Sequence, residues 1–156
     1  MRTHLIAVGH IKAGPERELY AHHCARLKGA PDLYPNLREV EEKRTLPAAT
    51  RKTREGELLI GALPAGAHVV ALDETGKTLT SPAFAKALGG WRDDGVRDVA
   101  FVIGGADGLD PAVTGRAQLV LSLGAMTWPH MLVRGLLAEQ LYRANAILTG
   151  HPYHRV

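Results

Sequence analysis

The chain has 156 residues, 46% of them hydrophobic and 22% charged, with a net charge of +3. That length and apolar content suit one domain spanning residues 1–156 with its own core, and exclude a disordered, collagen-like or disulfide-stapled chain. The single cysteine, Cys24, cannot close an internal bridge, no apolar run reaches the ~20 residues of a membrane-spanning helix, and Met1–His4 lead into a short apolar run without a cleavage pattern; a cytoplasmic location is expected. The positive excess is compatible with a polyanionic partner but too small to establish one. Lys43, Arg44, Arg51, Lys52 and Arg54 alternate with Glu39, Glu41, Glu42, Glu55 and Glu57, which reads first as a solvated face.

In chain order, the apolar run His4–Val8 ends at Gly9 and predicts a strand, and Pro15 to Lys28 predicts a helix with Leu19 and Leu27 on spaced turns. Leu37–Glu41 partly alternates, and Thr50 to Leu63 sets Leu58, Leu59 and Leu63 at helical spacing, giving a second strand and helix. Ala67–Leu72 is a buried-strand pattern broken by Asp73-Glu74-Thr75-Gly76, after which Ser81-Pro82 can open a helix to about Trp91. Val99–Ile103, stopped by Gly104-Gly105-Ala106-Asp107-Gly108, and Gln118–Leu123, after a brief helical turn, are the fourth and fifth strands. For the last helix Thr127 is the expected cap and Pro129 the expected opener, and Leu132, Val133, Leu136, Leu137, Leu141, Ala144, Ile147 and Leu148 form one broad apolar arc. Such an arc suits either a central core helix or a helix that also packs on a second copy. Strands apolar throughout, separated by helices, imply an α/β fold: a mostly parallel sheet of five to six strands covered on both faces.

In such sheets ligands bind beyond the carboxyl ends of the strands, so the loops after Leu72, Ile103 and Leu123 form the candidate site. Gly104-Gly105 lets a ligand approach peptide groups with no Cβ in the way, although a plain turn has the same composition. Gly76-Lys77-Thr78 resembles the end of a phosphate loop but has Ala71 where its first glycine belongs, and Gly104–Gly108 lacks dinucleotide-loop spacing. His151 and His154 flank Pro152 with no further ligand cluster, so no metal is expected. Glu139 and Arg143 stand one helical turn apart and read first as a surface ion pair, while Arg134 and Asn145 are placed on another flank, towards a groove leading to the ligand loops. The terminus His151-Pro152-Tyr153-His154-Arg155-Val156 is unusual: Tyr153 can stack on a base, His154 can move a proton near neutral pH, and Arg155 can hold a phosphate.

Leu72-Asp73-Glu74-Thr75-Gly76-Lys77, Phe101 through Gly108, Leu123-Gly124-Ala125-Met126-Thr127-Trp128-Pro129-His130 and Pro152-Tyr153-His154-Arg155, in this order, resemble the ribosomal RNA methyltransferase H family, and Leu132 through Ala144 match its last helix. The resemblance implies a SPOUT-class fold with a deep C-terminal trefoil knot, which general topology rules argue against, and a homodimer. It also implies methylation at N3 of a pseudouridine in large-subunit rRNA of the assembled ribosome, with S-adenosylmethionine as donor. The family motifs place that cofactor against Leu72, Gly104, Gly105, Leu123, Gly124, Ala125, Met126, Thr127 and Trp128. The chain departs from the family between Glu42 and Leu63, where Arg44-Thr45-Leu46-Pro47-Ala48-Ala49-Thr50-Arg51 replaces a more basic stretch.

A uracil-type N3 becomes strongly nucleophilic only as its proton leaves, so the reaction needs a base or a cationic field. The expected catalytic set is His154 assisting deprotonation, Arg155 or Arg134 stabilising charge on the ring oxygens, Tyr153 stacking on the base, and Glu139 as a second candidate base. The rival reading from another class is a catalytically silent ribosome-binding or assembly factor with the same fold; a nucleotide-binding oxidoreductase ranks last for want of a phosphate loop.

Overall fold

The structure is a computed structural model that describes residues 1–155. The elements alternate: β1 (Arg2–Val8), α1 (Pro15–Arg26), β2 (Pro35–Val40), α2 (Ala48–Ala62), β3 (His68–Thr78), α3 (Ser81–Asp93), β4 (Asp98–Ile103), α4 (Pro111–Thr114), β5 (Leu119–Ser122) and α5 (His130–Thr149). The five strands form one sheet in the order β2-β1-β4-β3-β5, and every pairing is parallel.

Alternate side chains along each strand enter opposite layers, as a pleated strand requires. Leu5, Ala7, Val70, Leu72, Val99, Phe101 and Ile103 face α1, α3 and α5, where Leu27, Phe84, Leu88, Leu137 and Leu141 cover them. Ile6, Val8, Val69, Ala71, Ala100 and Val102 face the other way, onto Leu59 and Ala62 of α2 and Val113 of α4. This is the uniformly apolar strand expected of a parallel sheet buried on both faces. Within the protomer, α5 buries Leu137, Ala138, Leu141 and Ala144, leaving Leu148 exposed. Its wide apolar arc is therefore largely a core feature.

Two local expectations are corrected. Asp73–Gly76 does not end the third strand: Leu121 pairs with both Leu72 and Lys77, so the four residues between them form a bulge and the ladder resumes at Lys77-Thr78. Gly76 allows this because a Cβ there would lie 2.6 Å from the Val120 carbonyl oxygen. Thr127 is not the cap of α5; the helix starts after Pro129 without a side-chain cap, and the Thr127 hydroxyl donates to Glu74 at 2.7 Å. In α3 the capping hydroxyl belongs to Thr80, which accepts from the Ala83 amide.

Arg134 requires a further correction. It is fully buried in α5, not placed on a groove flank. Its guanidinium donates to the Val8 and Gly9 carbonyls at 3.0 and 2.7 Å and pairs with Glu39, tying α5 to the ends of β1 and β2. Burial pushes the Glu39 carboxyl up, but hydrogen bonds from Arg134, the Ile11 amide and His10 outweigh it and leave the group below its ordinary value. The folded state thus gains stability from ionised Glu39 above its unfolded pKa, and loses it as pH falls through the lower folded value. Removing one partner of a buried pair strands the other, so Arg134→Ala should cost about 3–5 kcal/mol in denaturant unfolding; a loss under about 1 kcal/mol would show that the clamp is dispensable.

Candidate functional site

Because the strands run parallel and their registers set Leu72 opposite Ile103 and Leu121, the β3 bulge that follows Leu72 and the carboxyl ends of β4 and β5 open at one level of the sheet edge. Their loops enclose a cavity of about 720 Å³. Leu72, Ile103, Leu121 and Leu123 supply apolar wall, Val133 and His130 close it from the start of α5, and Lys52, Asp73, Glu74 and Asp107 add charge.

Glycine sets the backbone shape of this cavity. Gly105 and Gly108 form an isolated antiparallel bridge, closed by the Gly108 amide donating to the Gly105 carbonyl at 3.0 Å. A Cβ at Gly104 would fall 2.7 Å from the Gly108 carbonyl oxygen, so only glycine fits. Gly124 has φ of +127°, in the region that favours glycine, and its turn is locked by Ser122, whose hydroxyl donates to the Gly124 carbonyl and accepts from its amide. Met126 and Trp128, on the following loop, are 75% and 42% exposed.

Of the residues placed at the cofactor by resemblance, Leu72, Gly104, Gly105, Leu123, Gly124, Met126, Thr127 and Trp128 line the cavity; Ala125, in the same loop, does not. Sequence reasoning missed Lys52, which reads as part of a solvated face, and His130, which sits one residue past the proline that opens the helix.

The residues expected to carry chemistry lie elsewhere. Glu139 borders a second cavity of about 580 Å³ with Gln140 and Arg143, and Leu123, Gly124 and Trp128 line both cavities as a shared wall. The chain turns back after Gly150, whose φ of +72° ends α5, and lays its tail on that helix. The Tyr153 hydroxyl donates to Glu139 at 3.0 Å, its ring packs on Tyr142 with centroids 4.7 Å apart, and Arg26 lies over both rings. Burial and then the Glu139 contact raise the Tyr153 phenol, keeping it protonated. His154 Nδ1 lies 3.3 Å from Arg143, and Arg155 is exposed. Arg143 also donates to Glu139, so the expected pair forms but is half-buried and shared with the tail. From Val133 to Glu139 is six residues, about 9 Å along the axis, and Arg143 lies a further turn away. Arg134, buried in its clamp, reaches neither cavity.

Among the described residues no group of three His, Cys, Asp or Glu side chains is arranged to hold a metal ion, and no helix is long and apolar enough to cross a membrane.

Residues 1–154 match the family described as predicted SPOUT methyltransferase. The chain belongs to this family. It is 59% identical over 155 residues to a ribosomal RNA large subunit methyltransferase H of Paramagnetospirillum magneticum, with 99% of each chain covered. Proteins of the same name from Rhodospirillum centenum and Rhizobium etli are 54% and 52% identical, over 99% and 100% of both chains. Among solved structures, a putative methyltransferase of Legionella pneumophila in complex with SAM aligns with a TM-score of 0.45 and 15% identity, covering 96% of this chain and 66% of that one; a likeness that distant carries no argument about this chain's ligand.

The cavity's histidine has a testable state. Burial first, and then the charge of Arg134, lower the His130 pKa from 6.5. A depressed folded value means that neutral His130 contributes stability above 6.5, which is lost as pH falls through the folded value. Its imidazole NMR resonances should titrate with a midpoint below 6.5; a midpoint at or above that value contradicts the half-buried placement beside Arg134.

Proposed function

We propose that the protein is a cytoplasmic homodimeric enzyme, one domain per chain, that transfers a methyl group from S-adenosylmethionine to N3 of a pseudouridine in large-subunit rRNA within the assembled ribosome. The observation that carries this reading is the glycine-built cavity at the β3 bulge and the ends of β4 and β5, in a chain of a methyltransferase family. The trefoil knot of SPOUT proteins is part of the same reading.

The cavity suits the donor. Apolar walls from Leu72, Ile103 and Leu123 match an adenine face, glycine turns leave peptide groups approachable, and the Asp73 and Glu74 carboxylates favour a positive sulfonium and ammonium. When bound, the donor supplies an electrophilic methyl carbon. The chain's own residues must hold the acceptor nitrogen near it and exclude water. The exposed apolar pair Met126 and Trp128 stands at the mouth, in the right place to cover it.

The proton at N3 is the task of the tail. His154 accepts it, directly or through water, and Arg155 offsets charge on the ring oxygens, while Tyr153, its ring packed against Tyr142, Arg26 and Arg143, anchors the tail on α5 instead of stacking on the base. Glu139 keeps a supporting role, holding the Tyr153 hydroxyl and Arg143. Within one protomer the tail lies on α5 beyond the Leu123–Trp128 wall, away from that protomer's own donor cavity. In the dimeric reading, a tail therefore serves the cavity of the second copy.

Mass spectrometry of rRNA from cells with and without the gene tests the substrate: one N3-methylated pseudouridine should disappear from the large-subunit RNA, and unchanged RNA would reject the assignment. His154→Ala should lower single-turnover methylation by about 100-fold, the scale of general-base loss, with S-adenosylhomocysteine affinity unchanged. Gly104→Ala should do the reverse, weakening S-adenosylhomocysteine in calorimetry by forcing the turn open; wild-type affinity in that variant would remove the turn from the donor site.

A further inference from the structure

The turn from Gly104 to Gly108 is not held by its own hydrogen bonds alone. Helix α2 grips it from beneath at several points. Arg51 donates to Asp107 at 2.8 Å, Thr53 approaches Asp110 at 3.3 Å, and Gly56 packs so closely on Asp110 that a Cβ there would lie 2.8 Å from the Asp110 Cβ. Asp110 in turn caps α4 through the Ala112 amide at 2.8 Å. Between these contacts stands Glu55, 7% exposed, with its carboxyl against Gly105: a Cβ at Gly105 would lie 2.9 and 3.2 Å from the two carboxyl oxygens and 3.1 Å from Val8 Cγ1.

One of those oxygens, Oε2, is buried with no hydrogen-bond partner among the described residues. As packing alone this is a costly choice, because an apolar side chain would fill the same space without stranding a polar atom. A buried polar group that lacks a partner in one state points to a role in another. Its place, directly under the glycine whose peptide faces the cavity, says where that role is.

We propose that Glu55 is a positioning residue for the donor cavity, its carboxyl wedged beneath Gly105 so that the Gly104–Gly108 turn keeps the shape that receives the methyl donor. The inference rests on the donor reading above and adds to it a group outside the cavity wall. Glycine at 105 and the carboxyl at 55 are two halves of one contact: the first leaves the space that the second occupies.

The charge state of Glu55 then matters to the turn. Burial first, and next the nearby Asp107, raise its pKa; Arg51 lowers it, and Glu42, reaching in from the β2–α2 connection, adds to the rise. Val8 at the end of β1 contributes no charge. For a carboxyl whose folded pKa lies above its unfolded value, the favourable neutral contact is fully present below the unfolded value and is lost as pH rises through the folded one. An ionised Glu55 would repel Asp107 and loosen the grip that Arg51 provides.

The test uses the full chain and S-adenosylhomocysteine in calorimetry between about pH 5 and 8, spanning the range above the ordinary glutamate value. Wild-type affinity should fall as pH rises. Glu55→Gln, neutral and of the same shape, should keep the low-pH affinity and lose that fall; His130 titrates in both proteins, so the difference between the profiles isolates Glu55. Glu55→Ala should bind about tenfold more weakly, a difference of about 1.4 kcal/mol, and should speed amide exchange at Gly105–Gly108 but not at Gly124–Trp128. Superimposable pH profiles for wild type and Glu55→Gln would overturn the proposal, as would unchanged exchange in Glu55→Ala. If wild type itself binds no S-adenosylhomocysteine, the donor reading fails, and the exchange measurement still decides whether Glu55 sets the turn.

Discussion

A single buried guanidinium decides where the last helix lies. Arg134 has no access to solvent, so its charge must be met inside the protein, and it is met by Glu39 and two carbonyls at the end of β1. These partners lie where the first two strands finish. α5 is thereby fixed to the same edge of the sheet at which the cavity opens, and its first turn brings His130 and Val133 into the cavity wall. A helix held only by its apolar face could slide or rotate by a residue with modest loss; one held by a directional buried pair cannot. The site's precision begins with this contact, well outside the group of residues that meet a ligand.

The rest of the edge follows from parallel pairing. Strands that run the same way finish on the same side, and the bulge within β3 and the turns after β4 and β5 come together there. Each is shaped by close backbone approach: Gly76 against Val120, Gly104 against Gly108, and Gly124 held by Ser122. Side chains then add charge at the rim. The arrangement favours a ligand that is flat and apolar at one end and carries positive charge at the other, which is why a methyl donor of the sulfonium type fits the cavity better than a nucleotide polyphosphate.

Much of this was readable from residues alone because the relevant signals are local. The runs of β1, β4 and the first part of β3 are strands buried on both faces, and the glycines that end two of them mark real turns. What failed was non-local. Arg134 sits at a helical position that periodicity assigns to a flank, and only a partner 95 residues earlier in the chain makes it a core residue. The Asp73–Gly76 bulge looks like a strand end because the pairing that continues beyond it is made by β5, more than forty residues on. Lys52 and Glu55 fall in a charged helix whose pattern suits a solvated face, yet the turn after β4 folds over that helix and turns one of these residues toward the cavity and buries the other. The loops that the resemblance assigns to the cofactor line one cavity, Ala125 apart, but the resemblance could not say that Glu139 and the tail lie on the opposite side of the Leu123–Trp128 wall.

That wall bears on how the proposed reaction would be organised. A donor cavity and a tail that share a border but not an interior cannot act on one methyl group within a single protomer as they stand. Either the tail leaves α5, giving up the Tyr153–Glu139 hydrogen bond and the Arg26 stack over two aromatic rings, or the tail that serves the cavity belongs to a different copy. The first route costs several contacts that are half-shielded from water, each of them stronger there than on an open surface. The second costs none of them, because a tail packed on its own helix can still present His154 and Arg155 outward to a neighbour. Docking the tail is then a form of pre-organisation: the ordering entropy of residues 151–155 is met before any RNA arrives, and His154 and Arg155 are held beside a rigid helix instead of on a loose end.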